Sequence, residues 1–170
     1  MATVIVLMGV SGCGKTSVGR ALSAKTGWPF YDGDDFHPPE NVAKMASGVP
    51  LNDDDRAPWL ARLHDLIAEQ LAQGQSAILA CSALKRKYRE QLKAGNQGAF
   101  FVYLKGDFEL IRARMTARQA HYMKASMLQS QFDTLEAPDA KETLVVDISA
   151  DVDSIAETIL QAVDQTRLNL

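Results

Sequence analysis

The stretch Gly9-Val10-Ser11-Gly12-Cys13-Gly14-Lys15-Thr16, set directly behind the apolar run Val4-Ile5-Val6-Leu7, constrains this chain more than any other feature. A phosphate chain is bound by closely spaced backbone N–H donors, so glycines must stand where a Cβ would block the approach or forbid a positive φ. Gly9, Gly12 and Gly14 meet that need, and the pattern is that of a P-loop. The spacing predicts a helix beginning near Gly14 and Lys15, its free N–H groups and positive dipole end facing the phosphates. In such a loop Gly9, Val10, Ser11, Gly12, Cys13 and Gly14 wrap the nucleotide phosphates. Lys15 reaches the β- and γ-phosphates, and Thr16 offers its hydroxyl to Mg²⁺. The chain is therefore expected to use ATP and Mg²⁺.

Composition narrows what surrounds the loop. With 170 residues and 46% hydrophobic, residues 1–170 read as a single globular domain. The net charge of −3 comes from interspersed signs, which argues against bulk nucleic-acid binding. The cysteines are Cys13 and Cys81, and a disulfide from Cys13 would obstruct the phosphate loop, so a reducing cytoplasm is the expected setting. No apolar run reaches membrane-spanning length, and residues 1–8 read as a core strand and not as a signal peptide.

Downstream of the loop, Val18, Ala21 and Leu22 make an apolar helical stripe that Gly27 should stop. Residues 28–31 read as a strand ending in the carboxylates Asp32, Asp34 and Asp35. One of these can orient Mg²⁺ waters while another accepts a proton from a substrate hydroxyl. Residues 39–48 predict a short helix with Val42, Met45 and Ala46 inward. A long helix is expected from about Asp55 to Gln73, burying Trp59, Leu63, Leu66, Ile67 and Leu71. Capping and the helix dipole suffice to explain Asp53, Asp54 and Asp55 at its start. Arg56 is different, because it lies in the segment joining a carboxylate-bearing strand to the next core strand.

Ala77-Ile78-Leu79-Ala80 reads as a strand buried on both faces. It ends without the acidic residue that GTPases and motor ATPases place there, so the metal-orienting carboxylate shifts to Asp32. A basic helix follows from Lys85. A strand at 99–104 leads through the cap Asp107 to a helix with Phe108, Ile111 and Met115 inward and with Arg112, Arg114 and Arg118 short of acidic neighbours. Residues 119–138, with His121 and Lys124, interrupt the alternation and read as a lid over the nucleotide. A last strand at 144–146 and an amphipathic helix complete an α/β fold. Its five parallel strands carry helices on both faces, and ligands gather at their carboxyl ends.

With these residues in view, the chain resembles the gluconate kinase family of shikimate-kinase-like P-loop enzymes. The likeness rests on the P-loop, on Asp32-Gly33-Asp34-Asp35-Phe36-His37-Pro38 and on Gly48-Val49-Pro50-Leu51-Asn52-Asp53-Asp54-Asp55-Arg56. It extends through Cys81-Ser82-Ala83-Leu84-Lys85-Arg86 with Tyr88-Arg89, and through His121-Tyr122-Met123, Ser130-Gln131-Phe132 and Leu135-Glu136-Ala137-Pro138. Two departures stand out: Cys13 replaces the usual Ser or Ala and should make the loop sensitive to oxidation, and Tyr122 replaces Phe.

The resemblance implies a cytoplasmic, homodimeric enzyme that phosphorylates D-gluconate at its 6-hydroxyl with ATP. It implies that Lys15, Asp34 and Arg118 are catalytic and that Thr16 and Asp32 hold Mg²⁺. Asp34 would bind the attacking hydroxyl and act as base, Arg114 would stack near adenine, and Arg56 would grip the gluconate carboxylate. Ser82, Lys85 and Arg86, with His37 and Asn41, would add substrate contacts. The alternatives are a kinase for shikimate or a nucleoside monophosphate, and a nucleotide-dependent switch. The first pair would leave the middle motifs unexplained. A guanine-nucleotide switch would need Asn-Lys-x-Asp and a strand-three Asp-x-x-Gly.

Overall fold

The computed structural model describes residues 1–117 and 125–169. Five strands run in the order β1 (Val4–Met8), β2 (Phe30–Asp32), β3 (Ala77–Ala80), β4 (Ala99–Lys105) and β5 (Leu144–Asp147). They form one sheet ordered β2-β3-β1-β4-β5, parallel at every pairing. The helices between them are α1 (Lys15–Thr26), α2 (Pro39–Ala46), α3 (Asp53–Ala72), α4 (Arg86–Lys93), α5 (Phe108–Ala117), α6 (Ala125–Thr134) and α7 (Val152–Leu168). A 3₁₀ turn covers Gly33–Phe36.

Both faces of the central strand are buried, and the period of two sorts its residues between two cores. Ile5 and Leu7 pack with Val18 and Leu22 of α1 and Ile155 and Ile159 of α7. Val4, Val6 and Met8 pack on the other face with Trp59, Leu63 and Ile67 of α3 and Leu92 of α4. This double burial is why β1 and β3 read as unbroken apolar runs. All strand carboxyl ends point the same way, so the P-loop after β1, the acidic turn after β2 and the Cys81–Leu84 turn after β3 share one edge of the sheet.

Two expectations change. In α2 the inward face is not Val42, Met45 and Ala46: Val42 is 51% exposed, Ala46 is exposed and Met45 is half-buried. The buried residue is Asn41, whose Nδ2 donates to the Asp55 carbonyl at 2.8 Å. The helix roofs a cavity instead of a core, so its pattern of apolar residues does not report core burial. At the start of α3, Asn52 is the cap, accepting from the Asp55 N–H and receiving the Asp55 carboxylate on its own N–H. Capping thus accounts for Asp55 but not for Asp53, which pairs with Lys85 and Lys87 of the following segment.

Candidate active site

The P-loop is set at the end of β1 by Gly9, whose N–H donates to the Ser82 carbonyl of the neighbouring turn. Gly14 caps α1 at φ 100°, a left-handed conformation that side chains disfavour. Lys15 begins the helix, and its Nζ donates back to the Gly9 and Val10 carbonyls at 2.8 and 3.0 Å. The tip of the loop is tied to α6. The Ser11 N–H donates to Gln131 Oε1 at 2.6 Å, and Gln131 Nε2 donates to Ser11 Oγ at 3.0 Å.

Asp32 ends β2 and accepts the Asp34 N–H at 3.0 Å, which opens the 3₁₀ turn. Gly33 lies so close to β3 that a Cβ there would stand 2.5 Å from the Ala80 carbonyl oxygen. The Gly33 carbonyl accepts from Trp59 Nε1 at 2.7 Å, so the long helix α3 anchors the carboxylate turn. The Asp34 side chain is 77% exposed, so the protein removes only part of its hydration. That partial desolvation raises its carboxyl above the ordinary range, Asp32 adding to the rise and Lys15 opposing it. Solvent access limits the size of the effect but not its direction.

His37 follows the turn and stacks on Trp59 at 4.2 Å between centroids and 15° between planes. Burial first, then the Arg56 charge, lowers it to about 4, so it is neutral at pH 7. Because Asn41 Nδ2 faces a carbonyl, it also donates to His37 Nδ1 at 3.2 Å. This bonding assigns the ring proton to Nε2, which lies 3.8 Å from Asp34 Oδ1.

Lys15, Asp32, Asp34, His37, Arg56 and Ser82 line one cavity of about 670 Å³, roofed by α2 and the segment 47–51 and flanked by α6. Arg56 Nη1 donates to Tyr88 Oη at 3.0 Å, and among the described residues no carboxylate lies within 4 Å of its guanidinium. The other expected substrate residues stand apart. Asn41 is buried between His37 and α3. Lys85 is paired with Asp53 at 3.0 Å, and the mostly exposed Arg86 lies against Glu90 and Glu142. Arg114 is on α5, is not among the residues lining the cavity, and lies with Lys105 among the cations near Asp147. Arg118, His121, Tyr122 and Lys124 lie outside the described residues. Cys13 is 1% exposed, which works against the expected sensitivity to oxidation. Cys81 is equally enclosed, and burial pushes its thiol up to about 12.

Sequence reasoning assigned no role to three contributors: Trp59, read only as core, and Tyr88 and Arg89, quoted only among the residues that carry the resemblance. Buried Arg89 donates to the Ala83, Leu84 and Glu136 carbonyls at 2.8, 3.1 and 2.7 Å, joining the turn after β3 to the end of α6. The signal for Tyr88 was its place with Leu92 on the inner face of α4, where a buried phenol needs a partner.

The donor set also fits a nucleotide-bound Mg²⁺. Among the described residues no cluster of three His, Cys, Asp or Glu side chains could cage a metal. A hydroxyl on Thr16 and a carboxylate on Asp32, beside a phosphate loop, are the sparse oxygen donors such an ion takes.

A P-loop on the central strand, paired carboxylates on the edge strand and a cavity reaching a guanidinium with no carboxylate within 4 Å among the described residues fit a kinase acting on a small anionic molecule. Comparison with known proteins narrows this class. The shikimate kinase family model matches residues 11–164. The thermoresistant gluconokinase of Escherichia coli K12 is 44% identical, over 94% of this chain and 93% of that protein. A probable gluconokinase of Xenopus tropicalis is 44% identical, over 95% and 94%. The crystal structure of a gluconokinase from Sinorhizobium meliloti 1021 superposes with a TM-score of 0.88 at 43% identity, covering 98% of this chain and 94% of that one. The chain belongs to the gluconokinase family and is a nucleotide-binding phosphotransferase.

Proposed function

We propose that this enzyme transfers the γ-phosphoryl group of ATP to the 6-hydroxyl of D-gluconate, giving 6-phospho-D-gluconate and ADP. The observation that carries the reading is the single cavity joining Lys15, Asp34 and Arg56. A linear polyol acid placed along it has its carboxylate at Arg56 and its far hydroxyl at Asp34, facing the P-loop. Asp34 accepts the hydroxyl proton as the oxygen attacks the γ-phosphorus; the bond to the bridging oxygen breaks and ADP leaves. His37, neutral and with Nε2 3.8 Å from Asp34 Oδ1, borders the carboxylate without adding charge and without hydrogen-bonding to it. Lys15 leaves the Gly9 and Val10 carbonyls for the phosphates, and Ser82 adds a hydroxyl to the substrate's path.

Thr16 and Asp32 would hold Mg²⁺ with the nucleotide, and the ion would supply charge neutralisation on the phosphates. In the same reading Arg118 stabilises the transferring phosphoryl group and Arg114 stacks near adenine. Residues 119–138 act as a lid on the single domain, and the tie between Gln131 and Ser11 supports this, since it links the end of that segment to the phosphate loop. We extend the reading to a cytoplasmic homodimer. Two buried free cysteines suit a reducing compartment, and light scattering of the purified protein tests the dimer.

The test is Arg56→Ala, which should raise KM for gluconate at least about 30-fold, as for loss of a charge-assisted bidentate contact, and KM for ATP by less than about 2-fold. Equal effects on both constants would make Arg56 a scaffold residue and remove the carboxylate site.

A further inference from the structure

Among the described residues the guanidinium of Arg56 has one hydrogen-bond partner. Tyr88, 4% exposed and rooted in the α3–α4 core, presents its hydroxyl to Arg56 Nη1 at 3.0 Å, and the Arg56 Cζ lies 5.6 Å from the Tyr88 ring centroid. A phenol has one proton to give. Here it goes to Asp53, which leaves the oxygen lone pairs for the arginine. Asp53 is itself fixed by Lys85 Nζ at 3.0 Å and by Lys87 Nζ. These donors hold its carboxyl well below the usual range, Lys87 first, then Tyr88, then Lys85. The carboxylate therefore stays ionised and keeps the phenol proton turned away from Arg56. Two lysines hold this one carboxylate, and Arg56 stands on the other side of the phenol oxygen with no carboxylate within 4 Å among the described residues.

We infer that Tyr88 is a positioning residue for substrate recognition: its hydroxyl, polarised by Asp53, holds Arg56 in the orientation that receives the substrate carboxylate. The inference rests on Arg56 being the carboxylate site. It also gives Lys85 a different part from direct substrate contact, since the lysine acts on the substrate through Asp53 and Tyr88. An unanchored arginine must lose several rotatable bonds when it binds an anion, whereas one already held by the phenol loses fewer.

A double-mutant cycle with steady-state kinetics tests it. Tyr88→Phe keeps the buried ring and leaves Asp53 its two lysines, so the melting temperature should stay close to the parent's. KM for gluconate should rise about 5- to 10-fold, the scale of one ordinary hydrogen bond, with kcat and KM for ATP within 2-fold. In an Arg56→Ala background the same substitution should change kcat/KM for gluconate by less than 2-fold. Asp53→Asn, at the solvated rim, should raise the gluconate KM in the same direction by a smaller factor. An unchanged gluconate KM in Tyr88→Phe, or a full effect persisting without Arg56, would overturn the inference while Arg56 still bound the carboxylate. A parallel fall in kcat, ATP affinity and melting temperature would make Tyr88 a packing residue only. If Arg56→Ala itself spared gluconate binding, the carboxylate assignment would fail first.

Discussion

Asp34 and His37 carry the sharpest expectations for single side chains. Asp34→Asn removes the proton acceptor but keeps size and hydrogen bonding, so turnover should fall at least about 100-fold while nucleotide affinity, read by calorimetry, is unchanged. Because partial desolvation and Asp32 raise the Asp34 carboxyl, the acid limb of the kcat/KM profile in the parent should lie above the ordinary carboxylate range. His37 acts on stability. Its folded value of about 4 lies below the ordinary 6.5, so between those pH values the unfolded chain binds a proton that the folded chain refuses. Its contribution is complete above pH 6.5 and is lost as pH falls toward 4. His37→Gln should accordingly lose less stability than the parent between pH 7 and 5 in urea titrations. His64, raised by its bond to the Ala94 carbonyl, contributes the opposite trend equally to both proteins. Parallel losses would contradict the assignment. At this scale the sequence displayed the acids, because Asp32 and Asp34 end a strand beside a P-loop. It did not display that Lys85 turns to Asp53, since that pairing depends on how α3 and α4 pack across 32 positions of chain.

Helices α4 and α6 meet the P-loop edge through polar joints. Arg89 of α4 satisfies three carbonyls at the junction of the turn after β3 with the end of α6, and burial lowers its own pKa. Arg89→Met keeps the stem but leaves those acceptors without the cation. It should cost about 3 kcal/mol in urea unfolding, against less than about 1 kcal/mol for an exposed substitution such as Arg86→Met. Equal costs would show that the joint contributes nothing. Helix α6 buries Leu128 and sets Phe132 edge-on to Phe108 at 5.7 Å, so half of the expected lid is packed on the core. A non-hydrolysable ATP analogue should slow amide exchange across residues 125–134, and unchanged exchange would describe a fixed helix instead of a lid. The helical period marked α1, α3, α5 and α7 well because each covers a sheet face. It misplaced the inner face of α2, which has a cavity beneath it, and amphipathic patterns do not distinguish a cavity from a core.

The whole molecule follows from a strand buried on two sides. Continuous apolar runs at β1 and β3 require helices on both faces, parallel strands require crossovers, and together these bring every loop bearing a functional residue to one edge. That architecture was legible from the P-loop and the alternation of strands and helices. The cavity's far end was not, because Arg56, Tyr88 and the segment 47–51 meet only through tertiary packing. The central claim concerns what enters that cavity, and the most direct measurement is ADP release by the purified protein with Mg-ATP. D-gluconate, shikimate, CMP and no acceptor would be compared in parallel. The account predicts release confined to gluconate; release with shikimate or CMP instead, or at the same rate without any acceptor, would contradict it.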